Sequence, residues 1–113
     1  MTGINGYLTA SELKKMIRNG EDSEFLIIDL RDEKAYHEDH IDGAVNVPYQ
    51  EFMSQKSYEL LIQRLTAKKR FRRGVILYCE RGGSSIYAAK RLASAGVSPV
   101  FSLSGGFKEF RLL

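Results

Sequence analysis

Apolar residues fall along this chain in two kinds of pattern. Phe25-Leu26-Ile27-Ile28, Val75-Ile76-Leu77-Tyr78 and Val100-Phe101-Ser102-Leu103 are largely continuous runs rather than alternations, as expected of strands covered on both faces. Val45-Asn46-Val47 reads as a shorter strand before Pro48. Between the runs the apolar spacing is helical. Thr9-Ala10-Ser11-Glu12 has the form of a capping box, Leu13, Met16 and Ile17 follow, and Gly20 offers a stop. Tyr58, Leu61, Ile62 and Leu65 mark one face of a further helix. From Ile86 to Ala95, Lys90, Arg91 and Ser94 share one side while Ile86, Ala88, Ala89, Leu92, Ala93 and Ala95 cover most of the rest, and Gly96 suits the position that ends the helix. This order of strands and helices predicts an α/β domain with a mostly parallel central sheet, whose ligands bind beyond the carboxyl ends of the strands. Asp29 and Cys79 both fall at such ends.

The length of 113 residues fits a single domain over residues 1–113, and no repeat, linker or low-complexity tract divides it. A hydrophobic fraction of 43% with 27% charged residues is that of an ordinary globular chain. One cysteine leaves no internal disulfide, and the sequence shows neither a secretory leader nor an apolar run long enough for a bilayer. A cytoplasmic protein with no membrane partner is therefore expected. The net charge of +3 is local, because Lys68-Lys69-Arg70-Phe71-Arg72-Arg73 holds five of the 17 cations. Such a run serves either as a docking patch or as a solvated turn between a helix and the next strand. The turn is the preferred reading. With one aromatic and no stacking pattern, no nucleic-acid partner is expected.

The candidate chemistry lies where the strand Val75 to Tyr78 meets Cys79-Glu80-Arg81-Gly82-Gly83-Ser84-Ser85. Gly82 and Gly83 allow φ of either sign, so successive N–H groups can face one point and favour an anion there. Ser84 or Ser85 is expected to cap the following helix, whose amino end and Arg81 would both stabilise a thiolate. The competing view makes Cys79 a small inert core residue. Its neighbours Glu80, Arg81, Gly82 and Gly83 argue against that. His37 and His40 have His-x-x-His spacing, but no further soft ligand clusters with them and a structural role is expected. Gly105-Gly106 lacks any nucleotide-binding spacing and reads as a turn.

Together these landmarks resemble a single rhodanese domain, a sulfurtransferase family. Ile28-Asp29-Leu30-Arg31 is similar to the family's Asp-Val-Arg segment, and His40 through Pro48 to its Gly-His-Ile-Pro-Gly-Ala-x-Asn-Ile-Pro stretch. Tyr78-Cys79 with its loop and Leu103-Ser104-Gly105-Gly106-Phe107 supply the other two matches. The resemblance implies a central, mostly parallel sheet with helices on both faces. It also makes Cys79 the catalytic sulfur carrier, with Glu80, Arg81, Gly82, Gly83, Ser84 and Ser85 as the substrate-binding loop. Many members read Cys-x-x-Gly-x-Arg, and here Ser84 stands where that arginine would be. Arg81 is then the cation for an anionic donor, and the Ser84 hydroxyl a hydrogen-bond donor to a persulfide.

Asp29 and Arg31 read either as helpers of chemistry at the rim or as a supporting ion pair that fixes the loops, and the ion pair is the preferred reading. No metal or cofactor is called for. The partners implied are a small sulfur-containing donor such as thiosulfate and a thiol, cyanide or protein acceptor. Two rivals share the cysteine. A redox-sensing or sulfur-carrying regulatory module would use the same thiol. A cysteine-dependent phosphatase would need an arginine where Ser85 stands.

Overall fold

Five parallel strands form the centre of the molecule, in the spatial order β1, β5, β4, β2, β3. The computed structural model describes residues 6–67 and 73–113. In chain order the strands are β1 (Gly6–Leu8), β2 (Phe25–Asp29), β3 (Val45–Asn46), β4 (Gly74–Tyr78) and β5 (Val100–Leu103). Helices α1 (Ala10–Arg18), α2 (Glu33–Glu38), α3 (Tyr49–Met53), α4 (Gln55–Ala67), α5 (Ser84–Ser94) and α6 (Gly106–Leu112) connect or follow them. A 3₁₀ turn, Glu21–Glu24, leads into β2.

Every residue of β2 and β4 is buried, which explains their unbroken apolar sequences. Alternate side chains point to opposite faces and build two cores. On one face Leu26, Ile28, Val75, Leu77 and Val100 pack with Phe52 of α3 and with Ala88, Ala89 and Leu92 of α5. On the other, Phe25, Ile27, Ile76, Tyr78 and Leu103 pack with Leu13 of α1 and Phe107 of α6. The molecule is thus a three-layered α/β domain with helices on both faces. In the ladder joining β2 to β4, Asp29 lies opposite Tyr78, so the last positions of both strands reach the same edge of the sheet.

The predicted capping box is present: Thr9 N–H donates to Glu12 Oε1 at 2.8 Å, and Glu12 N–H donates to Thr9 Oγ1 at 3.1 Å. These hydrogen bonds hold the Glu12 carboxyl below its ordinary pKa. Helix α1 ends at Arg18, and Gly20 follows with φ of +74°, as its position in the sequence predicted. Of the basic run, residues 68–72 lie outside the described residues. Arg73 pairs with Glu21 at 3.3 Å and Glu24 at 3.6 Å, beside the start of β2. Among the described residues no helix is long and apolar enough to cross a membrane.

Candidate functional site

Cys79 follows β4 directly, at the carboxyl edge of the sheet, and the next four residues lead into α5. Gly82 adopts φ of +95° and turns its N–H onto the cysteine, donating to Sγ at 3.1 Å. A Cβ at Gly82 would lie 3.0 Å from the Gly105 nitrogen, so both the turn and the packing call for glycine. Gly83 differs. Its φ of −79° is open to any residue, so only one of the two loop glycines supplies unusual backbone geometry.

The expected serine cap of α5 is not formed. Gly83 occupies the cap position with helical backbone angles, the helix starts at Ser84, and no side chain closes its amino end. The chain becomes helical one residue too early for Ser84 to serve, and Ser85 is carried into the first turn. There Ser85 is fully buried, with Oγ 3.7 Å from Cys79 Sγ, 3.4 Å from the Gly82 carbonyl oxygen and 2.7 Å from Ser102 Oγ. The hydroxyl beside the sulfur is thus that of Ser85, whereas Ser84 is half-buried at the start of the helix. Cys79 is 8% exposed and packs among the apolar side chains on the α5 face. Burial and polar neighbours, the Gly82 amide and the Ser85 hydroxyl, thus coexist at the sulfur.

The chain returns to this loop at its other end. Gly105, with φ of +75°, makes the turn expected of it, but Gly106 opens α6 rather than prolonging the turn. Phe107 N–H donates to the Cys79 carbonyl at 2.9 Å, and Lys108 N–H to that of Glu80 at 3.0 Å. The backbone at Cys79 and Glu80 is therefore clamped by α6. Phe107 and Phe110, three residues apart and stacked, carried a faint helical signal for this element in the sequence.

Asp29 and Arg31 form a buried ion pair. Arg31 Nη2 lies 2.8 Å from Asp29 Oδ2, and the Arg31 backbone N–H donates to Oδ1 at 2.8 Å. Burial alone would work against the Arg31 charge, but the bonds and charge of Asp29 outweigh it and raise the pKa. Tyr78 completes the group, its hydroxyl donating to Asp29 Oδ2 at 2.6 Å and accepting from the Ile41 N–H at 3.1 Å. Burial, then the hydrogen bond to Asp29, pushes the Tyr78 phenol far above its usual pKa. Asn46 joins in by donating to the carbonyls of Asp29 at 3.0 Å and Arg31 at 2.9 Å. Arg31 also lies over the Phe107 ring at 4.2 Å.

Glu80 links this group to α6. Its carboxylate sits 3.6 Å from Arg31 Nη1 and 2.8 Å from Arg111 Nη2. Arg81 is exposed, and among the described residues its side chain has no hydrogen-bond or ion-pair partner. The other sequence candidates have their partners elsewhere. His40 stacks on Tyr36 with ring centres 3.9 Å apart and Nδ1 2.8 Å from the Tyr36 carbonyl, while exposed His37 lies 3.7 Å from Glu33. Tyr78, Asn46, Ser102 and Arg111 are contributors that the sequence reading did not single out.

What the loop brings together is one sulfur, an amide and a buried hydroxyl around it, and a free cation at the rim. The family model described as a rhodanese-like domain matches residues 9–113. Thiosulfate sulfurtransferase GlpE of Coxiella burnetii is 30% identical over 88 residues, covering 78% of this chain and 73% of that protein. A tRNA uridine(34) hydroxylase of Salmonella arizonae is 25% identical over 111 residues, but those make up 29% of its length against 96% of this chain. Among solved structures, the rhodanese-like domain of the Anabaena protein Alr3790 superposes with a TM-score of 0.70 at 28% identity, covering 94% of this chain and 73% of that one.

Proposed function

We propose that this chain, which belongs to the rhodanese-like domain family, moves a sulfane sulfur from a donor such as thiosulfate to a thiol or cyanide acceptor through a persulfide on Cys79. The observation that carries this reading is the Gly82 amide aimed at Cys79 Sγ from 3.1 Å, in a loop with a free cation at Arg81. A fixed donor at the sulfur favours the anionic nucleophile before any substrate arrives.

In the first half-reaction the Cys79 thiolate attacks the outer sulfur of thiosulfate. A new sulfur–sulfur bond forms, the bond to the sulfonate sulfur breaks, and sulfite leaves with the bonding electrons. In the second, an acceptor thiolate or cyanide attacks the outer persulfide sulfur and Cys79 departs as the thiolate. The acceptor must come from outside, because the chain has one cysteine. Arg81 pairs with the departing anion, and the Gly82 amide stabilises the charge on sulfur in both halves. A phosphatase reading draws no support from Ser85, since that position holds a buried hydroxyl bonded to Ser102 rather than a cationic clamp.

The experiment is intact-mass measurement after incubation with thiosulfate. The expected result is a gain of one sulfur atom, lost on adding cyanide or dithiothreitol and absent from Cys79→Ser. A protein that stays unmodified by thiosulfate and by other sulfane donors, while Cys79 is alkylated readily, would overturn the proposal.

A further inference from the structure

A buried hydroxyl has one proton to give, and the direction in which it gives it fixes what its oxygen does for its neighbours. Ser102 is a polar residue in the otherwise apolar strand β5, paired with Leu77 in the ladder and fully buried. Its Oγ lies 2.7 Å from Ser85 Oγ, and among the described residues that is the partner the structure gives it. Ser85 has three neighbours: Ser102, the Gly82 carbonyl at 3.4 Å and Cys79 Sγ at 3.7 Å. Buried donors are rarely left unsatisfied, so the Ser102 proton belongs on Ser85 Oγ. The Ser85 proton is thereby turned away from Ser102 and toward the Cys79 loop.

Both states of the cysteine fit this arrangement. When Cys79 is a thiol, its S–H donates to Ser85 Oγ, and the Ser85 proton rests on the Gly82 carbonyl. When Cys79 is a thiolate, the same proton swings to the sulfur and joins the Gly82 N–H as a second donor. We propose that Ser102 is a positioning residue, acting through Ser85 to hold that hydroxyl as a hydrogen-bond donor to the anionic sulfur of Cys79. Its use in catalysis rests on the sulfurtransfer reading, but the relay itself is a property of the thiol.

The test is the rate of Cys79 alkylation by iodoacetamide against pH, in the wild type, Ser85→Ala, Ser102→Ala and the double variant. Removing the donor should move the midpoint of the profile upward, by roughly one unit for Ser85→Ala and by a smaller step in the same direction for Ser102→Ala. The double variant should match Ser85→Ala, because Ser102 works only through that hydroxyl. Ser102→Thr and Ser102→Val provide a second comparison of nearly equal shape, in which Thr should keep the wild-type midpoint and Val should shift as Ala does. The charged groups facing the loop, Glu80 with Arg31 and Arg111, and Arg81, are unchanged in every variant. Wild-type midpoints in folded Ser102→Ala and Ser102→Val would overturn the relay, as would an equal effect of Ser102→Ala in the Ser85→Ala background. If the midpoints shift as expected but thiosulfate leaves no sulfur on Cys79, the relay stands and the sulfurtransfer reading fails.

Discussion

Gly106 passes so close to Cys79 that a Cβ added to it would lie 2.5 Å from the Cys79 carbonyl oxygen. The same carbonyl accepts the Phe107 N–H at 2.9 Å, so the first turn of the last helix and the end of the central strand share one backbone contact. Whatever moves Gly106 moves Cys79.

Gly106→Ala should therefore damage both stability and sulfur loading. Its φ of +62° is costly for a residue with a Cβ, and the clash is with backbone that cannot swing aside. A loss of at least about 1–3 kcal/mol is expected, read as a lower denaturation midpoint. Gly83→Ala is the control. It has ordinary φ and open space around it, so its cost should stay under about 1 kcal/mol.

Tyr78→Phe probes the buried group beneath the loop. The substitution leaves Asp29 Oδ2 and the Ile41 N–H without their shared partner, at a cost of roughly 1–3 kcal/mol near neutral pH. The pH dependence has a definite sign. Because the folded pKa of Tyr78 is raised, the unfolded chain releases this proton first as pH climbs past about 10. The stabilisation is complete below that point and fades above it, by up to about 1.4 kcal/mol per pH unit. Urea denaturation from pH 8 to 11 should show the gap between wild type and Tyr78→Phe narrowing with pH. A constant gap would mean that the phenol titrates alike in both states.

Glu12 gives the opposite sign at the acid end. Its folded pKa is lowered by the hydrogen bonds with Thr9, so the capping box stabilises fully above the unfolded carboxyl pKa and loses that contribution as pH falls through the folded one. Glu12→Gln should be less stable than wild type at neutral pH, with the gap narrowing toward pH 3. Thermal melts at the two pH values decide it.

The sequence was most readable where one local rule acted alone. Strands β2, β4 and β5 stand out because cover on both faces makes them continuously apolar, and α1 because its capping box lies within four residues. Strand β1 is three residues long at the sheet edge, and the six-residue α2 has no fully buried residue, so neither leaves a periodic signal. The site divides in the same way. Cys79, Arg81 and Gly82 lie within four residues and announce themselves, whereas Ser102 reaches Ser85 from 17 residues away and Tyr78 reaches Asp29 from 49. Such partners are set by the order of strands in the sheet, which the pattern of apolar residues does not encode directly.

Glu80 and Arg81 are neighbours with opposite expected effects on an anionic donor. The Glu80 carboxylate is occupied by Arg31 and Arg111, and its side chain is 41% exposed. Glu80→Gln should change stability by less than about 1 kcal/mol. It should also lower the KM for thiosulfate by no more than roughly fivefold, as a repelling charge is removed and Arg111 is released. A rise in KM would mean that Glu80 itself contacts the donor.

Arg81 is the sharper case, because its side chain is exposed and, among the described residues, touches no partner. Exposed side chains of that kind contribute within about 0.5 kcal/mol to stability, so Arg81→Ala should melt like the wild type. Its effect on function should be much larger. Thiosulfate carries two negative charges, and one charge-assisted hydrogen bond is worth about 1.5–3 kcal/mol. Loss of that bond should cut kcat/KM for thiosulfate by roughly tenfold to a hundredfold, with Arg81→Lys falling between. An uncharged persulfide donor should suffer less, since it brings no sulfonate to the rim. Steady-state rates with both donors, beside the melting curves, separate the possibilities. If Arg81→Ala keeps full activity with thiosulfate, the Gly82 amide and the Ser85 hydroxyl must hold the anion without help, and the rim cation has another purpose.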